Sequence, residues 1–245
     1  MAKKLKRSVA CYSAERCDDA SFGVLEFDAN TKSWKWTHVR DIYLPENANG
    51  IPDFFTAKDE EKNLCDFPNL CENAPFYLYL ILESPHVDEY KNGKPHVPAR
   101  GKTGENIYKF LPNMLNQKSF KSLELGAFME RATSSPVLPI VVTVMNSVQF
   151  QCSLGLKPIS RMIVEENWVD IWFDPNVNGE EDFKQRIERA NEKFDAFFIN
   201  ACTEGVNVPL RQMVSDALEQ VLGPNQNFCE TNHPVSWRSN NLPTL

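Results

Sequence analysis

Four apolar runs of strand length constrain this chain more than any other feature of its 245 residues. They are FYLYLIL (76–82), LPIVVTVM (138–145), FDAFFINA (194–201) and the shorter NFCET (227–231). The first two have no polar alternation, as expected for strands buried on both faces. Helical patterns separate them. Thr103 can cap a helix that aligns Ile107, Phe110, Leu111, Met114 and Leu115, and a second helical stretch covers about 120–132. EEDFKQRIERANEKF (180–194) aligns Phe183, Ile187, Ala190 and Phe194. VPLRQMVSDALEQVLG carries Pro209 near its start and Gly223 past its end. Strands alternating with helices imply a parallel sheet covered on both sides. The predicted fold is therefore α/β: a three-layer α/β/α sandwich around a central four-stranded, mostly parallel sheet.

Residues 1–74 show little clean periodicity. VLEF (24–27) and SWKWTHVRDIYL (33–44), with DAN and TK as turn residues, predict a small antiparallel β element. We read 1–74 as an N-terminal extension packed on a core domain of 75–245. No apolar run approaches the roughly 20 residues of a membrane span, and the basic N-terminus lacks the apolar core of a signal peptide. The expectation is a cytoplasmic monomer without a membrane partner. Seven cysteines is an odd number, and in that compartment they stay reduced. Cys11/Cys17 and Cys65/Cys71 are spaced more widely than the knuckles of structural zinc sites. We therefore expect neither a metal nor a cofactor.

Ligands of such sheets bind at the carboxyl ends of the strands. The segments there are ESPH after Leu82, NSVQFQ after Met145 and NHPVSW after Thr231. Two of the four histidines, His86 and His96, fall in the loop after the first core strand. That loop also carries Lys91, Lys94, Arg100 and Lys102, with no acid between the first and last of them. A net charge of −7 argues against coating nucleic acid through bulk electrostatics, but leaves room for a local basic path.

These segments, in this order, resemble the uracil-DNA glycosylase superfamily. LESPHVDEY, GKPHVPARGKTG and ENIYKFL follow the layout of its first motif, the segment after it and the helix beyond. VVTVMNSVQ places Asn146 where the superfamily ends a second core strand in asparagine. NHPVSW supplies His233, Pro234 and Ser236 of a His-Pro-Ser-like turn. The likeness covers roughly residues 76–240. Ser84 stands where uracil enzymes carry a water-activating aspartate, and His96 where a phenylalanine stacks on uracil. The loop after His96 is about three residues longer, and the cysteines of the iron–sulfur family are not reproduced. The resemblance therefore implies the fold and the reaction class, with a pocket unlike the uracil one.

Breaking an N-glycosidic bond puts positive charge on the sugar and negative charge on the departing base. Catalysis needs donors at the base oxygen, negative charge facing the sugar and a positioned water. The resemblance gives His233 the donor role and sets Asn146 on the polar edge of a flipped-out base, where a carboxamide both donates and accepts. Glu83, the only acid of the first motif itself, is the candidate for orienting water or stabilising the sugar cation. Asp88 and Glu89 stand in if Glu83 instead caps backbone N–H groups. Ser84, His86, His96 and Gln149 are candidates for the base pocket, though Gln149 and Gln151 also fit plain strand-edge bonding. Arg100, Lys102, Ser236 and Arg238 are candidates for phosphate contacts. Trp237 fits either an apolar wedge entering the vacated duplex space or core packing.

The leading expectation is a monofunctional DNA glycosylase acting on a modified or damaged base, most simply a pyrimidine and one that is bulky or hypermodified as in phage DNA. Base excision in repair and antiviral defence are both open roles. No lysine lies in the three strand-end segments ESPH, NSVQFQ and NHPVSW, which disfavours a Schiff-base lyase. A hydrolase of free nucleosides or nucleotides suits the negative charge better. A non-catalytic nucleic-acid-binding module on the same fold is a third reading.

Overall fold

Seven consecutive apolar residues leave the strand Phe76–Leu82 (β3) no polar face, and all seven are buried. Alternation sends Phe76, Leu78, Leu80 and Leu82 into one core and Tyr77, Tyr79 and Ile81 into another. The computed structural model describes residues 16–39, 76–86, 89–91, 94–95, 99–116, 123–134, 139–152, 161–223 and 227–238. Before β3 come β1 (Ala20–Asp28) and β2 (Ser33–Val39). After it come a short ladder of β4 (Tyr90–Lys91) with β5 (Lys94–Pro95), then helices α1 (Lys102–Asn116) and α2 (Leu123–Ser134). Next are β6 (Ile140–Asn146), α3 (Arg161–Phe173), α4 (Gly179–Lys193), β7 (Asp195–Asn200), α5 (Leu210–Leu222) and β8 (Phe228–Glu230). A 3-10 turn at Pro234–Ser236 closes the described chain.

The large sheet has the order β2-β1-β6-β3-β7-β8. β3 lies in parallel register with β6 on one side and β7 on the other, and β8 pairs parallel with β7. These are the four strands expected from the apolar runs. The sheet nevertheless has six strands, not four. β1 pairs antiparallel with β6, and β2 antiparallel with β1. The N-terminal hairpin thus extends the central sheet, because the edge of β6 left open by β3 takes Ala20 to Leu25 as its partner. The sheet is mixed.

α1 and α2 cover one face, through Ile107, Leu111 and Phe128 among others. α3, α4 and α5 cover the other, through Trp168, Phe183 and Val214. Three layers result. α1 begins at Lys102, so Thr103 sits inside its first turn rather than before it. Gly101 makes the turn into it at φ 75°, where a side chain is strained. α3 has no one-sided apolar stripe: Glu165 and Asn167 are buried while Phe173 is 61% exposed.

Candidate active site

The end of β3 is held by its own last carbonyl. The Glu83 carbonyl accepts from Val148 N–H at 3.2 Å, from the Ser147 hydroxyl at 2.7 Å and from the Trp168 indole at 2.9 Å. Ser147 N–H donates to the Leu82 carbonyl at 2.7 Å. The segment after β6 and helix α3 therefore fix where the Glu83 side chain starts. Asn146 lies opposite Leu82 in the parallel register, so the two side chains share a face of the sheet. Leu82 lines the main cleft, and Asn146 is buried beside it.

His233 is delivered by an equally constrained turn. Val235 N–H donates to its Nδ1 at 3.2 Å. The Ser236 N–H and hydroxyl both donate to its carbonyl, at 2.9 and 2.7 Å. Asn106 of α1 reaches across with Nδ2 to the carbonyls of Pro234, Val235 and Trp237, at 2.8, 3.3 and 3.4 Å. An Nδ1 that accepts a backbone N–H leaves the ring proton on Nε2. Nε2 stands 3.6 Å from Oε2 of Glu83, too far for a direct hydrogen bond. The two functional groups meet at the carboxyl edge of one sheet, past the ends of β3 and β8, with β7 between those strands.

Buried polar atoms without hydrogen-bond partners collect at this edge. Among the described residues they include Glu83 Oε2, Asn146 Oδ1, Thr231 Oγ1 and Asn106 Oδ1. Such atoms are rare in folded proteins. Of these residues Glu83 lines a cleft of about 800 Å³, within the size range of small-molecule sites, whereas Asn146, Thr231 and Asn106 lie outside its lining. Its far wall is the loop after β7. There Glu165 accepts from the Asn207 N–H at 2.9 Å, and Gly205 at φ 82° has the Val208 carbonyl where a Cβ would stand. Arg211 is anchored in that wall, with Nε on the Cys202 carbonyl at 3.0 Å and Nη1 on Glu204 at 3.2 Å.

The site also acts on its neighbours. Burial pushes the Cys152 thiol up to about 12, against a hydrogen bond from Ser84 that lowers it, and the Glu83 charge adds to the rise. Burial, and then the same charge, raises Cys202 well above the ordinary thiol value. Both stay neutral thiols at physiological pH and are poor nucleophiles.

Most residues expected at the site meet in this cleft: Glu83, Ser84, His86, Arg100, Lys102, His233 and Ser236 all line it, and so does Glu89. Lys102 is paired with Glu105 at 3.0 Å. The Ser236 hydroxyl is spent on the His233 carbonyl rather than presented to a ligand. Gln149 is elsewhere. Its side chain takes the Arg16 guanidinium and donates to Asp19 at 3.1 Å, facing a separate groove. Trp237 takes the packing alternative: it is 1% exposed, and its indole donates to the Asn232 carbonyl at 2.7 Å. The exposed apolar residue of that turn is Val235, at 52% on the cleft rim. Arg238 is exposed outside the cleft lining. His96 and Asp88 lie outside the described residues, as do Cys11, Cys65 and Cys71.

Asn106, Trp168, Arg211 and Val235 escape sequence reasoning. Each sits in a helix or turn whose local pattern is ordinary, and the partners of Asn106 and Trp168 are 21 to 131 residues away. Comparison of the chain with models of protein families, with curated proteins and with solved structures finds no match.

Proposed function

We propose that the protein is a DNA glycosylase that hydrolyses the N-glycosidic bond of a flipped-out modified or damaged base and leaves an abasic site. The observation that carries this reading is the Glu83–His233 pair. A His donor of fixed tautomer stands 3.6 Å from a buried carboxylate oxygen with no hydrogen-bond partner, at the head of an ≈ 800 Å³ cleft. Asn146 Oδ1, buried and unpartnered on the strand beside Leu82 though outside the cleft lining, is the acceptor proposed to read a base edge.

In this mechanism Nε2–H of His233 donates to the base oxygen that gathers charge as the C1′–N bond lengthens, and the base leaves with the bonding electron pair. The Glu83 carboxylate offsets the positive charge on the sugar, then takes a proton from the water whose oxygen bonds to C1′. Arg100 and Lys102, at the cleft mouth, are suited to the flanking phosphates. Val235 is suited to fill the space that the base vacates. A bulky or hypermodified pyrimidine is compatible with a cleft of this size. Repair and antiviral defence would both use such an enzyme.

A hydrolase of free nucleosides is the second reading. It is favoured by the carboxylates of Glu83, Glu89, Glu165 and Glu204 around the cleft, which oppose a polyanion. Incubating the protein with DNAs of diverse base chemistry, modified phage genomes included, and with the matching free nucleosides separates the two. Alkali-labile sites in DNA support the glycosylase. Release from nucleosides alone supports the second reading.

A further inference from the structure

Arg186, on the opposite side of the sheet from α1, has no direct place in the chemistry above. Its side chain is only 6% exposed. All five of its N–H donors are engaged. Nη1 donates to both oxygens of Asp19, at 2.8 and 3.0 Å. Nε donates to Asp182 at 3.0 Å. Nη2 donates to the carbonyls of Asn146 and Ser147, at 3.0 and 3.1 Å. The guanidinium also lies 5.5 Å from the Phe183 ring centre, which holds its plane from one side.

We propose that Arg186 is a positioning residue for Asn146, and that Asp19, brought in just before β1, completes the device. The proposal rests on the reading of Asn146 as a contact to the flipped base. The ladder of β6 ends at Asn146, so the carbonyls of 146 and 147 have no neighbouring strand to fix them. Nη2 takes both at once, in a guanidinium plane that Asp19 and Asp182 hold through the other two nitrogens. This sets the peptide between the two carbonyls, and so the direction in which the Asn146 side chain leaves the backbone. The Asn146 oxygen is kept buried without a partner. A looser backbone at this point would let the carboxamide turn to find one, and the readied acceptor would be lost. Arg16 and Gln149 brace the same knot: Arg16 bonds Gln149 and, at 2.8 Å, Asp182, while the Cys17 N–H donates to the Gln149 carbonyl at 2.8 Å. The segment 16–19 therefore serves the site although none of it lines the main cleft.

The test uses Arg186→Lys, which keeps the charge but replaces the fork by a single ammonium, and Asp19→Asn, which keeps the shape and removes the charge. Both are made in the full chain. The readouts are thermal midpoint, single-turnover base release with its KM, and the side-chain amide resonances of Asn146. The expected result for Arg186→Lys is a folded protein that releases base about 10²-fold more slowly at near-unchanged KM, with the Asn146 resonances displaced. Asp19→Asn should move both readouts in the same direction. An unchanged rate and unmoved Asn146 resonances in either folded variant overturn the proposal, as does a rate loss that only tracks the unfolded fraction. If Arg186→Lys does not fold, Asp19→Asn decides alone. If the wild-type protein releases no base at all, the glycosylase reading fails, and the Asn146 resonances still decide whether Arg186 positions that side chain.

Discussion

The imidazole Nε2 of His233 faces Oε2 of Glu83 across 3.6 Å, although the two residues are 150 positions apart and follow different strands. Neither is exposed: the side chains are 15% and 18% accessible. If the pair does the chemistry proposed, its members separate by kinetics. Glu83→Gln keeps the shape but cannot accept the water proton, and should lower the rate of base release by about 10²-fold to 10⁴-fold with the fold intact. Single-turnover assays at saturating DNA measure it. A loss below threefold would remove Glu83 from the mechanism.

Val235, not Trp237, is the apolar side chain that the His233 turn offers to a ligand. Val235→Gly is expected to slow base release from duplex DNA while leaving release from single strands, where no gap needs filling, near wild type. Equal losses on both substrates would contradict a wedge. Trp237→Ala should instead act on stability, by about 3–5 kcal/mol, because it empties a buried indole site.

Asn106 ties α1 to three carbonyls of the turn that carries His233. Asn106→Ala leaves those acceptors short of a donor and should destabilise the protein by about 1–3 kcal/mol. Asn106→Asp should cost more, since a carboxylate would face the same carbonyls. Denaturant unfolding followed by tryptophan fluorescence gives both numbers. Asn106→Ala should also slow base release, as the turn no longer holds Nε2 in place.

Cys152 and Cys202 are predicted to resist alkylation at pH 8 in the native protein, because burial keeps their thiols protonated and covered. Peptide mapping after iodoacetamide should find both unlabelled in buffer and both labelled in denaturant. Prompt native labelling would mean that the region behind Glu83 opens readily.

The β1–β2 turn carries a separate pH signal. Lys35, whose ammonium is 2.6 Å from Asp28, holds that carboxyl well below the usual carboxylate range, with the Thr31 and Asn30 N–H groups assisting. A depressed carboxylate contributes stability above its unfolded value, near 3.9, and that contribution is lost as pH falls toward the depressed folded value. The thermal midpoint of the wild type should therefore drop more steeply below pH 4 than that of Asp28→Asn. Parallel curves would remove the turn from the acid response.

The four parallel strands were legible because a strand buried on both faces cannot hide its composition: FYLYLIL and the run ending at Met145 have no polar alternation to confuse them. The hairpin 20–39 was legible as a hairpin, but its docking on β6 was not. Its half-buried pattern is the same whether it pairs with the main sheet or stands apart. α3 left no trace, since its buried face includes Glu165 and Asn167. The strand-end rule placed Glu83, Ser84, His86 and His233 at one edge of the sheet, and they line one cleft there. Which way a side chain points within a tight turn is set by hydrogen bonds that sequence does not reveal. Trp237 therefore took the packing alternative, Val235 became the exposed side chain of the turn, and Gln149 turned toward Arg16 and Asp19. Arg186 was one basic residue of a charged helix until its five bonds spanned up to 167 positions.

The most direct measurement is mass spectrometry of the bases released from chemically diverse DNAs, run in parallel with wild type and His233→Ala. The account predicts a free modified base and a matching abasic site with the wild type, and about 10²-fold to 10³-fold less of both with the variant at equal folded concentration. Release of no base from any DNA, or equal release by the two proteins, would contradict it.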